Sequence, residues 1–128
     1  MAPMRVLAAV LVFSIATSAL AVPYVLPPRP PRPIPADVFA QLVDAMKAES
    51  FPDGKLERLR TVAGGKRYLL DGAQAITVLD LFAFWNDRLA ALRLLSFVDG
   101  ASAHAVRRYF AAAPDTVRSE AERILGAS

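Results

Sequence analysis

From Asp37 onward the apolar residues recur at helical spacing. Phe39, Leu42, Val43 and Met46 fall at i, i+3, i+4 and i+7, one stripe of an amphipathic helix that Pro35 and Asp37 would start. Ser50-Phe51-Pro52-Asp53-Gly54 interrupts that run. Leu56, Leu59 and Val62 then mark a second helix, which Gly64-Gly65 would end. Ile76, Leu79 and Phe82 form a third stripe. Leu89 and Leu92, followed by Leu94 or Leu95 and flanked by Ala90, Ala91 and Phe97, predict the most buried helix. Val106 and Phe110 carry a fifth. Val117, Ala121, Ile124 and Leu125 carry a sixth, which Ala111-Ala112-Ala113-Pro114 would start, with proline tolerated in its first turn, and which Gly126 would end. No useful length alternates with period two, and Tyr68-Leu69-Leu70 reads as an extended connector. The expectation is an all-α fold of about six short helices, paired as three stacked hairpins after a disordered leader.

A repeat supports the pairing. Asp71-Gly72-Ala73-Gln74-Ala75 returns 28 positions later as Asp99-Gly100-Ala101-Ser102-Ala103. At the same offset Val78 matches Val106, Phe82 matches Phe110, Ala83 matches Ala111 and Asp87 matches Asp115. A second echo sets Phe51, Lys55, Leu56 and Leu59 against Phe84, Arg88, Leu89 and Leu92. Such periods point to stacked helical units. Asp71 suits a helix N-cap, with Gln74 placed to complete a capping box; Asp99 repeats the cap, with Ser102 a poorer reciprocal partner.

The start of the chain reads as an address. One positive charge in Met1–Arg5 precedes an apolar core over Val6–Leu20, and Ala19-Leu20-Ala21 offers a small-x-small cleavage site. This predicts a signal peptide over 1–21, cleavage after Ala21 and a secreted or periplasmic protein; an uncleaved anchor is the alternative. Residues 22–36 hold most of the prolines and predict a stiff polyproline spacer, unable to join a helix or a central strand. Pro27-x-x-Pro30-x-Arg32 also fits a peptide-ligand pattern. Residues 37–128 would form the helical domain.

Charge and composition remove several function classes. The pI near 9.7 suggests anionic partners. From Ala36 on, however, 12 Lys and Arg balance 12 Asp and Glu, so the excess lies in Arg5, Arg29 and Arg32. Lys66-Arg67 and Arg107-Arg108 are doublets rather than a basic tract, and no nucleic-acid partner is expected. With no cysteine, thiol catalysis, Cys-ligated zinc and redox switching are excluded. The single histidine, His104, has no companion at metal-ligand spacing, so neither a metal nor a cofactor is expected. Gly64-Gly65-Lys66 lacks the rest of a phosphate loop. Asp80 with Asp87, and Glu120 with Glu122, are the acid pairs; solvated faces and helix starts account for them, and no catalytic residue is assigned. Phe84-Trp85, with Tyr68, are the candidate partner contacts.

The pattern Phe51, Lys55-Leu56-x-x-Leu59, then Leu70, Gln74, Val78-Leu79-x-x-Phe82-x-Phe84, then Arg88-Leu89-x-x-Leu92 and Val98-Asp99 resembles the bacterial domain-of-unknown-function family numbered 4476, over about Phe39 to Leu125. In the last copy Phe-x-Phe becomes Phe110-x-Ala112 and the Lys position blurs near Arg118. The resemblance implies an exported domain behind a low-complexity spacer and transfers no catalytic residue. The function expected is a non-enzymatic module for protein–protein or envelope interaction, by a helical groove or the Phe84-Trp85 region, without a membrane span after signal cleavage. A hydrolase-like enzyme using acidic residues such as Asp80 and Asp87, or a weak nucleic-acid binder, are the alternatives.

Overall fold

A computed structural model describes residues 29–126. The signal sequence, its cleavage site and the first part of the neck lie outside the described residues. Among these residues there are six α-helices: α1 (Ala36–Lys47), α2 (Pro52–Ala63), α3 (Gly72–Leu79), α4 (Trp85–Leu92), α5 (Gly100–Tyr109) and α6 (Asp115–Gly126). A 3-10 turn, Phe110–Ala112, follows α5. Strands β1 (Arg32–Pro33) and β2 (Tyr68–Leu69) complete the fold. No helix among the described residues is long and apolar enough to cross a membrane.

The all-α expectation therefore holds, and the apolar stripes form one core. Leu42, Val43 and Met46 of α1 and Leu59 of α2 are buried, with Phe39, Leu56 and Val62 packed partly buried at its edge. In the third helix the buried face runs through Ala75, Val78, Leu79 and, just beyond, Phe82, while Ile76 is only half-buried. Half of α3 is buried, more than in α4, where Leu89, Ala91 and Leu92 are. The sequence placed the greatest burial in α4; the Leu-rich run continues past that helix instead, so Leu95 enters the core from the loop.

Three close pairs carry the packing: α1 on α2, α3 on α5 and α4 on α6. The last two join corresponding elements of the 28-residue repeat. Both repeat caps are in place. Asp71 Oδ1 accepts from Gln74 N at 2.8 Å while Gln74 Oε1 accepts from Asp71 N at 3.0 Å, a complete capping box. Asp99 Oδ1 accepts from Ser102 N at 2.8 Å, and its bonds to Ser102 hold the carboxyl below its ordinary value.

The second echo also has a physical basis, and it extends to a third copy. Phe51 and Phe84 are the N-caps of α2 and α4, with nearly identical backbone angles. Four residues in, Lys55 Nζ donates to the carbonyls of Met46 (2.9 Å) and Glu49 (2.6 Å), and Arg88 Nε donates to the carbonyl of Phe82 (3.0 Å). Arg118, four residues after Pro114, donates to the Ala113 carbonyl at 3.3 Å. In each unit a cation on the second helix folds back onto the last turn of the first or the loop just after it, where carbonyl oxygens with a spare lone pair and the negative end of the helix dipole favour it.

The neck departs from expectation. Its last residues are no free spacer: Arg32 N donates to Arg67 O (3.1 Å) and Ile34 N to Leu69 O (2.9 Å), so β1 and β2 pair in parallel. Pro33 falls between the two donors, the edge position where a missing N–H costs nothing. Ile34 enters the core at 6% exposure. Tyr68-Leu69-Leu70 is thus more than a connector. Leu70 continues the pairing on its other side, with Leu70 N donating to Ser96 O (2.8 Å) and Val98 N to Leu70 O (3.0 Å).

Gly64 and Gly65 end α2, as expected. Gly64 stays right-handed, and the one positive φ among the described non-glycine residues belongs to Lys66, at 59°. Gly64 is needed for closeness instead, since a Cβ there would come within 2.5 Å of the Arg60 carbonyl oxygen. Lys66 turns back so that its Nζ lies 3.4 Å from the carbonyls of Arg93 and Leu95.

Candidate functional site

The three candidate contact residues separate into two places. Phe84 and Trp85 stand at the start of α4, where the extended backbone of the N-cap turns Phe84 outward, 69% exposed. Trp85 turns inward and is half-buried. Its ring meets Tyr109 at 5.8 Å and Phe110 at 5.5 Å, and Tyr109 in turn meets Phe110 at 5.6 Å. The Arg88 guanidinium lies 4.5 Å from the Trp85 ring centre and 5.6 Å from that of Tyr109. Since Arg88 also bonds the Phe82 carbonyl, one side chain closes the turn and covers the aromatic cluster.

Tyr109 anchors the cluster's far side. Its hydroxyl donates to Asp80 Oδ1 at 2.6 Å, joining the end of α5 to the end of α3. Burial, and then the bond to Asp80, push the phenol well above its ordinary value. Asp80 of the first acid pair is therefore an acceptor for Tyr109, while Asp87 lies in the first turn of α4. The second acid pair is bridged as well. Glu120 accepts from Arg123 and from Arg93 (3.0 Å), which hold its carboxyl below the ordinary value, and Glu122 accepts from Arg107 at 2.8 Å. His104 is exposed on α5. No group of three or more His, Cys, Asp or Glu among the described residues is placed to hold a metal ion.

Phe51 was not singled out as a contact residue from the sequence, though it is the repeat counterpart of Phe84. At 74% exposure it joins Phe84 as the large hydrophobics left mostly in solvent among the described residues. A cavity of about 660 Å³ lies elsewhere, between the loop after α4 and helix α6. Leu92, Leu95, Phe97 and Ile124 supply its apolar lining, and Lys66, Arg93 and Arg123 its cations.

Tyr68 belongs to the neck. The guanidinium carbons of Arg32 and Arg67 lie 5.6 and 5.8 Å from its ring centre. Arg29 and Pro30 join these three residues around a cavity of about 110 Å³. Arg32 of the Pro27–Pro30–Arg32 pattern is exposed, but its backbone is held in β1 and its guanidinium lies over Tyr68, which leaves that pattern less available as a free peptide ligand; Pro27 lies outside the described residues. Arg88, Tyr109 and the arginines about Tyr68 were missed as site residues. For Arg88 the signal was its match to Lys55. For the neck it was Ile34, an isolated apolar residue between two prolines.

The chain belongs to the family described as Domain of unknown function (DUF4476), whose model matches residues 33–124 and so takes in the fold from β1 into α6. Searches of curated proteins and of solved structures return no match.

Proposed function

We propose that this chain is an exported, non-enzymatic module that binds a protein partner at the cell envelope through the aromatic turns at Phe51 and Phe84. The observation that carries this reading is the exposure of both phenylalanines at equivalent turns. An exposed aromatic gains nothing from folding, and aromatics of this kind are enriched where a partner buries them. Beside Phe84, the Trp85–Tyr109–Arg88 cluster gives a rigid base that loses little freedom on binding. The bonds that occupy Asp80, Glu120 and Glu122 favour this reading over a hydrolase using those acids. Export rests on the charged start, apolar core and Ala-x-Ala of the first 21 residues.

A photo-reactive residue placed at position 84 in living cells tests the reading. Position 111, also exposed, serves as control. The expected result is a discrete crosslinked protein from position 84, found in the envelope fraction and lost when Phe51 is changed to Ser. Equal crosslinking from 84 and 111, or a chain confined to the cytoplasmic fraction, would overturn it.

A further inference from the structure

We infer that Arg29, Arg32, Arg67 and Tyr68 form a binding site for a phosphoryl anion, a site separate from the aromatic turns and independent of the partner reading. The strand pairing holds the arginines together. The two backbone bonds of β1 and the burial of Ile34 fix Arg32 opposite Tyr68 in register. Arg67 directly precedes β2, and Arg29 lies within the proline-fixed run that leads into β1. Proline sets φ along that run, so little backbone entropy is lost in presenting the side chains.

The cations elsewhere on the body are mostly used. Arg58, Arg60, Arg93, Arg107, Arg118 and Arg123 bridge carboxylates, while Lys55, Lys66 and Arg88 bond carbonyls. By contrast, none of Arg29, Arg32 and Arg67 bridges a carboxylate among the described residues. Three guanidiniums lining one small cavity repel one another unless an anion joins them. Two of the three also lie over one aromatic ring, which orients them.

The chemistry of the anion follows from donor count and size. A carboxylate needs one guanidinium fork, whereas a phosphoryl group offers three oxygens and more charge to several forks at once. A cavity of about 110 Å³ takes a phosphate-sized group and is too small to enclose a nucleotide. That group is either free phosphate or the phosphodiester of an anionic lipid headgroup, which offers two unesterified oxygens and one charge to the same forks.

The full chain is titrated with inorganic phosphate by isothermal calorimetry, and separately with vesicles of phosphatidylglycerol in phosphatidylcholine, against pure phosphatidylcholine vesicles. Saturable binding in at least one of these arms is expected. It should weaken at least tenfold in Arg32→Gln/Arg67→Gln and severalfold in Arg29→Gln, which lies ahead of the strand pairing and keeps the fold intact. The control Arg58→Gln/Arg60→Gln removes the same charge from the α2 surface and should stay within about twofold of wild type. Binding to phosphate alone identifies a free anion as ligand; binding to the anionic vesicles alone identifies the headgroup. No saturable binding in either arm, an unaltered Arg29→Gln, or equal loss in the control pair would overturn the inference.

Discussion

Gly72 packs directly against Ser102. A Cβ built on Gly72 would lie 3.5 Å from Ser102 Cα and 2.9 Å from the Ala105 methyl, so the start of α3 rests on the first turns of α5. Ser102 occupies the repeat position of Gln74, and it is buried at 6% exposure. The weaker second cap is thus tied to packing: Ser102 is buried where α3 rests on α5, and a larger Gln side chain there has little room. Ser102→Gln and Gly72→Ala should each destabilise by about 1–3 kcal/mol through overpacking. Urea unfolding midpoints check this. If Ser102→Gln raised the midpoint by completing a capping box, the close approach would not be the reason for the serine.

The three back-folded cations should differ in weight. Lys55 makes two short bonds to carbonyls, Arg88 one bond plus its contact with Trp85, and Arg118 one long bond while also pairing with Asp115. Replacing each with Met keeps most of the stem and removes the charge. Lys55→Met and Arg88→Met should each cost about 1–2 kcal/mol, the lower part of the range for charged bonds because both sites are only partly buried. Arg118→Met should cost less than about 1 kcal/mol. Denaturation of the three variants under one condition gives the order, and an Arg118 effect equal to that of Lys55 would contradict it.

Ile34 ties the neck to the helices. Ile34→Ala removes a buried branched side chain at the edge of the core and should cost about 2–4 kcal/mol. It should also free the Arg32 and Ile34 amides, which now donate to Arg67 and Leu69. Hydrogen exchange on these two amides checks the second part. If they stayed protected in the variant, the strand pairing would not depend on the anchor.

Helix stripes and both Asp caps were legible because they are local. A 3.6-residue period and an N-cap depend on neighbours within one or two turns. What escaped the sequence depended on contacts between distant segments. Nothing near Ile34 announces that Leu69 lies beside it, and the prolines around it argue for a spacer. Gly64-Gly65 marks where α2 stops, but nothing nearby shows that Lys66 takes the left-handed turn and reaches the carbonyls of Arg93 and Leu95. Of the candidate site, Phe84 and Trp85 were visible as an aromatic doublet. Their opposite fates, one outward and one against Tyr109 and Phe110, are decided by tertiary packing.

Tyr109 should give the protein a measurable alkaline limit. In the unfolded chain its phenol ionises near pH ~10, whereas in the fold burial and the bond to Asp80 raise that value. The neutral phenol is the form that folding favours. Its contribution is therefore complete below about pH 10 and is lost as pH rises above that, because the unfolded state then releases a proton that the folded state keeps. At pH 8, Tyr109→Phe should cost about 1 kcal/mol through the lost bond to a partly solvated carboxylate. Between pH 8 and 11 wild type should lose stability faster than Tyr109→Phe, since only wild type carries this phenol, and the gap between the two should close. Melting temperatures of both proteins across that range provide the check; other titrating groups are common to the pair and drop out of the difference. A gap that stayed constant to pH 11 would mean that the Tyr109–Asp80 bond does not set the ionisation of the phenol.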